Sequence, residues 1–395
     1  MRRVRTVTDH ERRARLARRH ALAPTERVGD AVAATRAVTV LHATEPATVA
    51  LSLQARVADL ARDDVRAALE VDRTLVKQLA MRRTLFVFPR DLLPASWGSA
   101  SARVATQQRG RLAREVVAGG LAADGEQWVA QAGDAVVALL AERGELQAAE
   151  VRAAVPALDV GIEVAPGTAY GGTQPVVPRL LTLLGLEARV VRGTNAGHWR
   201  VSRHRWALAE DWLGEQPAPW DERAGWAELV RRWLRSHGPG TAADLQWWLG
   251  STKTAVTRAL GDVDAVEVRL EDGRAAWLLP DDLAVEPDVA PWAALLPVLD
   301  PTTMGWKERD AYLGPHAAAV FDRNGNAGTT AWWNGRVVGV WVQDDAGRVV
   351  VSLLEDVPPT GRAALAVEAE RLTAWLDGER VGTVYPSPAM RAALA

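Results

Sequence analysis

Residues 226–280 constrain the fold of this chain more than any other stretch. "WAELVRRWLRSHG" places Trp226, Leu229, Val230, Trp233 and Leu234 on one face of a helix. Gly238 and Pro239 in "HGPG" stop it. Thr241 then opens a second helix, with Asp244 three residues later as a capping-box variant, and Gly250 ends it. A third helix, "TKTAVTRALG", presents Lys253 and Arg258, and "AVEVRL" and "RAAWLL" flank an acidic glycine turn as two short strands. Helix, turn, helix, helix and hairpin is the order of a winged helix. Its third helix would enter the major groove of DNA, and its hairpin would touch backbone or the adjacent groove.

The same order recurs twice upstream. Residues 126–206 read as "WVAQAGDAVVALLAERG", "LQAAEVRAAV" and "QPVVPRLLTLLG", closed by a basic hairpin over 188–206. Residues 46–92 read as two or three short helices and then "LAMRRTLFVFPRDL", a strand closing at Pro89. After residue 288 the period changes to two, and Asn334-Gly335 is a strong hairpin signal within a meander. The helix "RAALAVEAERLTAWLDG" follows and is expected to cover one sheet face. The predicted class is α+β: three tandem winged-helix units at 1–95, 96–215 and 222–287, followed by a β-barrel-like domain at 288–395.

A chain of 395 residues is long enough for two to four such units. It has no cysteine, which removes disulfides, thiolate zinc sites and thiol nucleophiles. No Gly-x-Gly-x-x-Gly or P-loop pattern is present and the seven histidines lack metal-ligand spacing, so neither cofactor nor metal is expected. Without a secretory h-region or a membrane-length apolar run, a cytoplasmic location is the expectation. Most of the seventeen tryptophans are assigned to packing.

The net charge is −2, so a surface for a polyanion must be local. Residues 1–20 hold eight arginines against Asp9 and Glu11 and read as a solvated face. Residues 189–206, "RVVRGTNAGHWRVSRHRW", hold five arginines, two histidines and no acid, and glycines and aromatics interrupt them. As a wing, this stretch would track phosphates through Arg192, Arg200, Arg203 and Arg205, with Trp199 as a core anchor. Gly193 and Gly197 would allow a tight tip. Arg82 and Arg83 in "AMRRT" hold the equivalent place in the first unit, and Lys253 and Arg258 lie on the third recognition helix. The charged cluster Asp300, Lys307, Glu308, Arg309 and Asp310 reads as ion pairing at a domain interface.

Several blocks resemble one family, the winged-helix proteins that include the AlkZ/YcaQ-like alkyl-DNA glycosylases. They are "MRRTLFVFP" (Met81–Pro89), "GPGTAADLQWWLG" (Gly238–Gly250), "LLPVLDPTTMGWKERDAYLG" (Leu295–Gly314) and "NGRVVGVW" (Asn334–Trp341). The resemblance implies a C-shaped monomer that holds double-stranded DNA, alkylated or adducted, in a cleft. Family glycosylases carry glutamine–apolar–glutamine or glutamine–apolar–aspartate ahead of an acid–proline pair. That motif falls here on His42-Ala43-Thr44, followed by Glu45-Pro46, so both motif side chains differ.

The corner can be read from its residues alone. Glu45 precedes a proline and should break the helix, with Pro46 in the first turn of the next. His42 is expected in the last turn of the preceding helix, where the dipole favours its protonated form, and Thr44 or Glu45 as a cap. In a purely structural role that is a complete account. In a catalytic role, His42 would orient or deprotonate a water, Thr44 would hydrogen-bond it and Glu45 would supply negative charge. An N7-alkylated purine already carries positive charge and leaves without being protonated, so little more is needed. The competing readings are a non-catalytic lesion- or DNA-binding protein and, weakest, a transcription regulator, for which no dimerisation stretch is evident.

Overall fold

The computed structural model describes residues 4–164, 172–214 and 218–395. Its N-terminal strand β1 (Thr6–Val7) leads into α1 (Asp9–Arg19), capped by Thr8. Helix α2 (Ala31–Ala37) precedes strand β2 (Leu41–His42), and α3 (Pro46–Arg56) and α4 (Arg62–Arg66) follow. Strands β3 (Leu75–Leu79) and β4 (Leu85–Pro89) form a hairpin, with β2 on its other side in the order β2-β4-β3. Where a single strand was expected over 79–92, two strands stand, because the turn at Ala80–Thr84 folds "LVKQL" back on "LFVFP".

Helices α5 (Ala102–Ala118), α6 (Gly125–Arg143), α7 (Ala148–Ala154) and α8 (Val176–Leu186) pack around one apolar cluster that includes Val136, Val151 and Leu180. A small hairpin, β5 (Gly161–Val164) and β6 (Gly172–Pro175), precedes α8. The basic hairpin of the sequence is β7 (Val190–Asn195) against β8 (His204–Leu208), with Arg192 opposite Trp206.

Helix α9 (Glu222–His237) turns into α10 (Ala242–Leu249) and α11 (Lys253–Asp262), and the hairpin β9 (Val266–Leu270) and β10 (Ala275–Leu278) closes the group. The capping box is formed: Thr241 Oγ1 accepts the Asp244 N–H at 3.1 Å, and Asp244 Oδ2 accepts the Thr241 N–H at 3.0 Å. Gly250 takes the left-handed conformation that ends α10. Strand β1 adds to this hairpin, parallel to β9.

The C-terminal sheet is an antiparallel meander, β11 (Ala293–Leu296), β12 (Thr330–Trp333), β13 (Arg336–Gln343) and β14 (Val349–Leu353), in that order. Asn334 and Gly335 both have positive φ, 47° and 78°, as a two-residue hairpin turn of this type requires. The sheet is open and is not the barrel-like closure expected from the alternation. Four strands are too few to curl shut, and α12 (Pro359–Leu376) buries one face instead, through Leu365, Leu372 and Leu376. Among the described residues no helix is long and apolar enough to cross a membrane.

Candidate DNA interface and catalytic corner

His42 lies in strand β2, not in the last turn of a helix as expected, since α2 already ends at Ala37. Val38–Val40 intervene, and a helix dipole therefore has no hold on the imidazole. Leu41 pairs with Val87 and His42 with Phe86, and the Ala43 N–H still donates to the Leu85 carbonyl at 3.0 Å. The segment is thus extended through Ala43. His42 is buried at the end of the strand, and Thr44, in the bend that follows, is exposed.

The His42 ring stacks obliquely on Phe86, 4.8 Å between centroids, and is 6% exposed. Among the described residues neither ring nitrogen has a hydrogen-bond partner. Burial first, and then the charge of Arg82, pulls its pKa down to about 3, with Asp300 acting weakly the other way. The imidazole is therefore neutral at physiological pH. It is a poor proton acceptor there, yet still able to accept or donate one hydrogen bond.

Glu45 occupies the N-cap position of α3 and Pro46 its first turn, but neither Thr44 nor Glu45 caps the helix through its side chain. The Glu45 carboxylate turns outward instead. Its Oε2 accepts from the Thr383 hydroxyl at 3.1 Å and from the Val384 N–H at 3.3 Å. A cavity of about 320 Å³ opens beside it, floored by Leu51, Val298 and Trp341 and rimmed by Gln343 and Thr383. On the other flank of Pro46 lies a smaller cavity of about 120 Å³, bounded by Arg62, Lys77, Asn195 and Trp199. The corner thus separates two cavities.

The basic hairpin is less free than its sequence promised. Arg192 lies over Trp206 at 5.3 Å, and burial alone lowers its pKa to about 10. Arg200 pairs with Glu379 at 2.7 Å, Arg205 with Glu150 at 3.2 Å and Arg189 with Asp134 at 2.7 Å. Arg203 is exposed and has no carboxylate partner among the described residues. Trp199 meets Trp375 edge-on at 5.6 Å and packs against two core clusters, which is the anchoring role expected of it. Gly193 and Gly197 keep ordinary negative φ. They serve by making room, since a Cβ on Gly193 would stand 2.4 Å from a Glu145 carboxylate oxygen.

From Arg5 to Arg19 the N-terminal arginines are not a solvated face, and Arg2 and Arg3 lie outside the described residues. Arg15 and Arg19 meet Asp282 at 3.0 and 2.6 Å, Arg18 meets Glu286 at 3.0 Å, and Arg5 meets Glu11 at 2.6 Å. Glu11 is local, but Asp282 lies 267 residues from Arg15 and Glu286 lies 268 from Arg18, so most of the run looked unpaired from the chain alone.

Of the remaining candidates, Arg83, Lys253 and Arg258 are exposed. Arg82 sits at the β3–β4 turn and lies over the ring of Trp247 at 4.0 Å, and Arg309 approaches the same ring at 5.1 Å. Trp247 had no local signal, being one of seventeen tryptophans, and Arg309 sat inside a mixed-charge run. The "LDPTTMGWKERD" cluster does include a buried ion pair: Asp300 meets Arg56 at 2.7 Å with both side chains 0% exposed. Asp300 also accepts from the Ser52 hydroxyl at 2.7 Å. Next to this pair His20 and His237 face each other, 4.6 Å between ring centroids. Burial holds both below the usual imidazole range, His237 at about 3.

A protein-family model described as "DNA glycosylase AlkZ-like" matches residues 35–375. Among solved structures, the Streptomyces sahachiroi DNA glycosylase AlkZ is similar in fold, with a TM-score of 0.73 at 19% identity, covering 93% of this chain and 97% of that chain. No curated protein sequence matches. The family resemblance carried by "MRRTLFVFP" and its companion blocks is thereby borne out. The chain belongs to the AlkZ-like DNA glycosylase family.

Proposed function

We propose that this protein is a monofunctional DNA glycosylase that excises alkylated bases of the N7-purine type from double-stranded DNA. In this reading three winged-helix units (1–95, 96–215 and 222–287) and the β domain (288–395) form a cleft around the duplex, and the protein acts as a monomer. The observation that carries it is the extended backbone at the family's motif position. It sets His42 at the end of a strand two residues before the exposed Thr44, with the Glu45 carboxylate held just beyond them by Thr383 and Val384.

Water oxygen adds to C1′ of the sugar as the N-glycosidic bond breaks. The cationic base leaves with the bonding pair and becomes neutral, and the water proton passes to solvent. Because the base departs without protonation, the site has only to place the water and stabilise an oxocarbenium-like sugar. A neutral His42 suits the first task through an unpartnered ring nitrogen, and Thr44 supplies a second hydrogen bond. Proton abstraction, the other role considered for His42, is disfavoured by a pKa near 3. Glu45 supplies the negative charge. Exposed Arg83, Arg203, Lys253 and Arg258 are phosphate contacts in this reading, while Arg192, Arg200 and Arg205 chiefly hold the hairpin in shape.

A duplex containing N7-methylguanine should yield alkali-labile abasic sites with the native protein, and at least tenfold fewer with His42→Ala, in line with the loss of a positioned catalytic group. Undiminished excision by that variant would remove His42 from the mechanism. The low exposure of His42 favours a second reading, a lesion-binding protein without hydrolysis. Salt-dependent duplex binding with no abasic sites on any alkyl lesion is its signature.

A further inference from the structure

Two guanidiniums converge on one tryptophan without a counter-ion. Arg82 stands 4.0 Å and Arg309 5.1 Å from the Trp247 ring centroid, and Arg309 also lies 4.3 Å from that of Phe321. Among the described residues neither has a carboxylate oxygen within 4.0 Å. The Nε atoms of both are buried and have no hydrogen-bond partner among the described residues. Each charge acts against the other: burial and Arg309 together lower the pKa of Arg82 to about 10. The neutral partner is Tyr312, whose hydroxyl meets Arg309.

The arrangement is built, not incidental. The second oxygen of Asp244, Oδ1, accepts the backbone N–H groups of Lys307 and Glu308 at 2.9 and 3.0 Å, which ties the Arg309 loop to the first turn of α10. Trp247 is one turn further along that helix. At the other end of α10, Gly250 has φ +62°, and a Cβ there would stand 2.9 Å from the Arg82 backbone nitrogen. Arg82 and Arg83 both adopt positive φ, 54° and 58°. Two successive non-glycine residues in the left-handed region are unfavourable, and a fold retains them where the surroundings or a function require it. Ser251, next to Gly250, adds a buried hydroxyl with no partner. Like charges held together at such cost match a dianionic or monoanionic oxyanion, which would take a planar N–H fork from each side.

We propose that Arg82 and Arg309, seated on Trp247, form a binding site for a single backbone phosphate of DNA. The proposal rests on the duplex-binding reading and adds to it the anchor that fixes register beside His42, because Arg82 is the cation that acts on that imidazole. Single charges elsewhere on the surface track the strand; this pair grips one point of it.

The test is duplex affinity against salt for the native protein and for Arg82→Gln, Arg309→Gln and Arg309→Lys, with circular dichroism as the folding check. Both glutamine variants are expected to weaken binding about tenfold at 0.1 M salt and to lower the slope of log K on log salt by about 1 each. Arg309→Lys should keep the slope. If one glutamine variant does not fold, the other carries the measurement. Unchanged slopes and affinities in the folded variants overturn the anchor and leave duplex binding standing. Absence of binding by the native protein overturns both. Inorganic phosphate competing as well as duplex, per phosphate, would assign the site to a free anion and overturn the DNA anchor.

Discussion

The arginines of α1 and the two arginines on Trp247 carry the same charge into opposite surroundings. Along α1, Arg15 and Arg19 share Asp282 and Arg18 and Arg19 share Glu286, while Arg15 shares Glu11 with Arg5, just before β1. Each of these guanidiniums is neutralised within the molecule. Arg82 and Arg309 meet each other, an aromatic ring and a tyrosine hydroxyl. The described arginines of the run at the N-terminus therefore largely serve the fold, while an inconspicuous pair has no carboxylate partner among the described residues. A positive stretch is informative about partners only after its internal acids have been subtracted.

The largest effect lies at the neutralised extreme. Asp300→Ala strands Arg56 in the core without its partner and should cost about 3–5 kcal/mol in chemical denaturation. A loss below 1 kcal/mol would mean that water reaches Arg56 and that the pair is not the closed interior described here.

Acidification adds charge where cations already stand. His42 lies in the field of Arg82, and His20 and His237 in that of Arg56. Their folded pKa values lie below the unfolded value of 6.5, about 3 for His42 and His237. The unfolded chain therefore binds more protons in that interval. Stability is complete above pH 6.5 and falls as pH drops towards 3. Each of these two groups should remove about 2–3 kcal/mol between pH 6.5 and 4.5. Urea midpoints measured across that window should flatten in His237→Gln, and a pH-independent midpoint in the native protein would contradict the burial of these rings.

Asp282→Asn separates the two classes of arginine most directly. It removes the acid shared by Arg15 and Arg19 and should cost about 1–3 kcal/mol of stability, while duplex affinity is expected to stay within about twofold because these cations are engaged by internal carboxylates. A tenfold change in affinity would break the comparison. The smallest effects belong to Lys253→Gln and Arg258→Gln, exposed on α11: stability within about 0.5 kcal/mol of native, and a salt slope lowered by about 1 for any that does contact phosphate. An unchanged slope would mark those side chains as spectators.

The same contrast shows what could be read from the chain. The capping box at Thr241 and Asp244, the stop at Gly250 and the Asn334-Gly335 turn were legible because each depends on residues within a few positions of one another. The corner at residues 42–46 was legible as a break and misread as a helix end. Strand β2 is two residues long and exists only because β4 lies alongside it, so no periodicity could announce it. The second oxygen of Asp244 was invisible for the same reason: it holds a loop 63 residues away.

Local pattern determined the order of helices and hairpins and the family, since these follow from short-range propensity and from residue types at fixed spacing. Tertiary structure alone decided which arginines find a carboxylate partner, and that His42 is buried and neutral. Those properties depend on desolvation and on Coulomb partners brought together from distant segments, and charge in a sequence has no sign of its neighbours until the chain has folded.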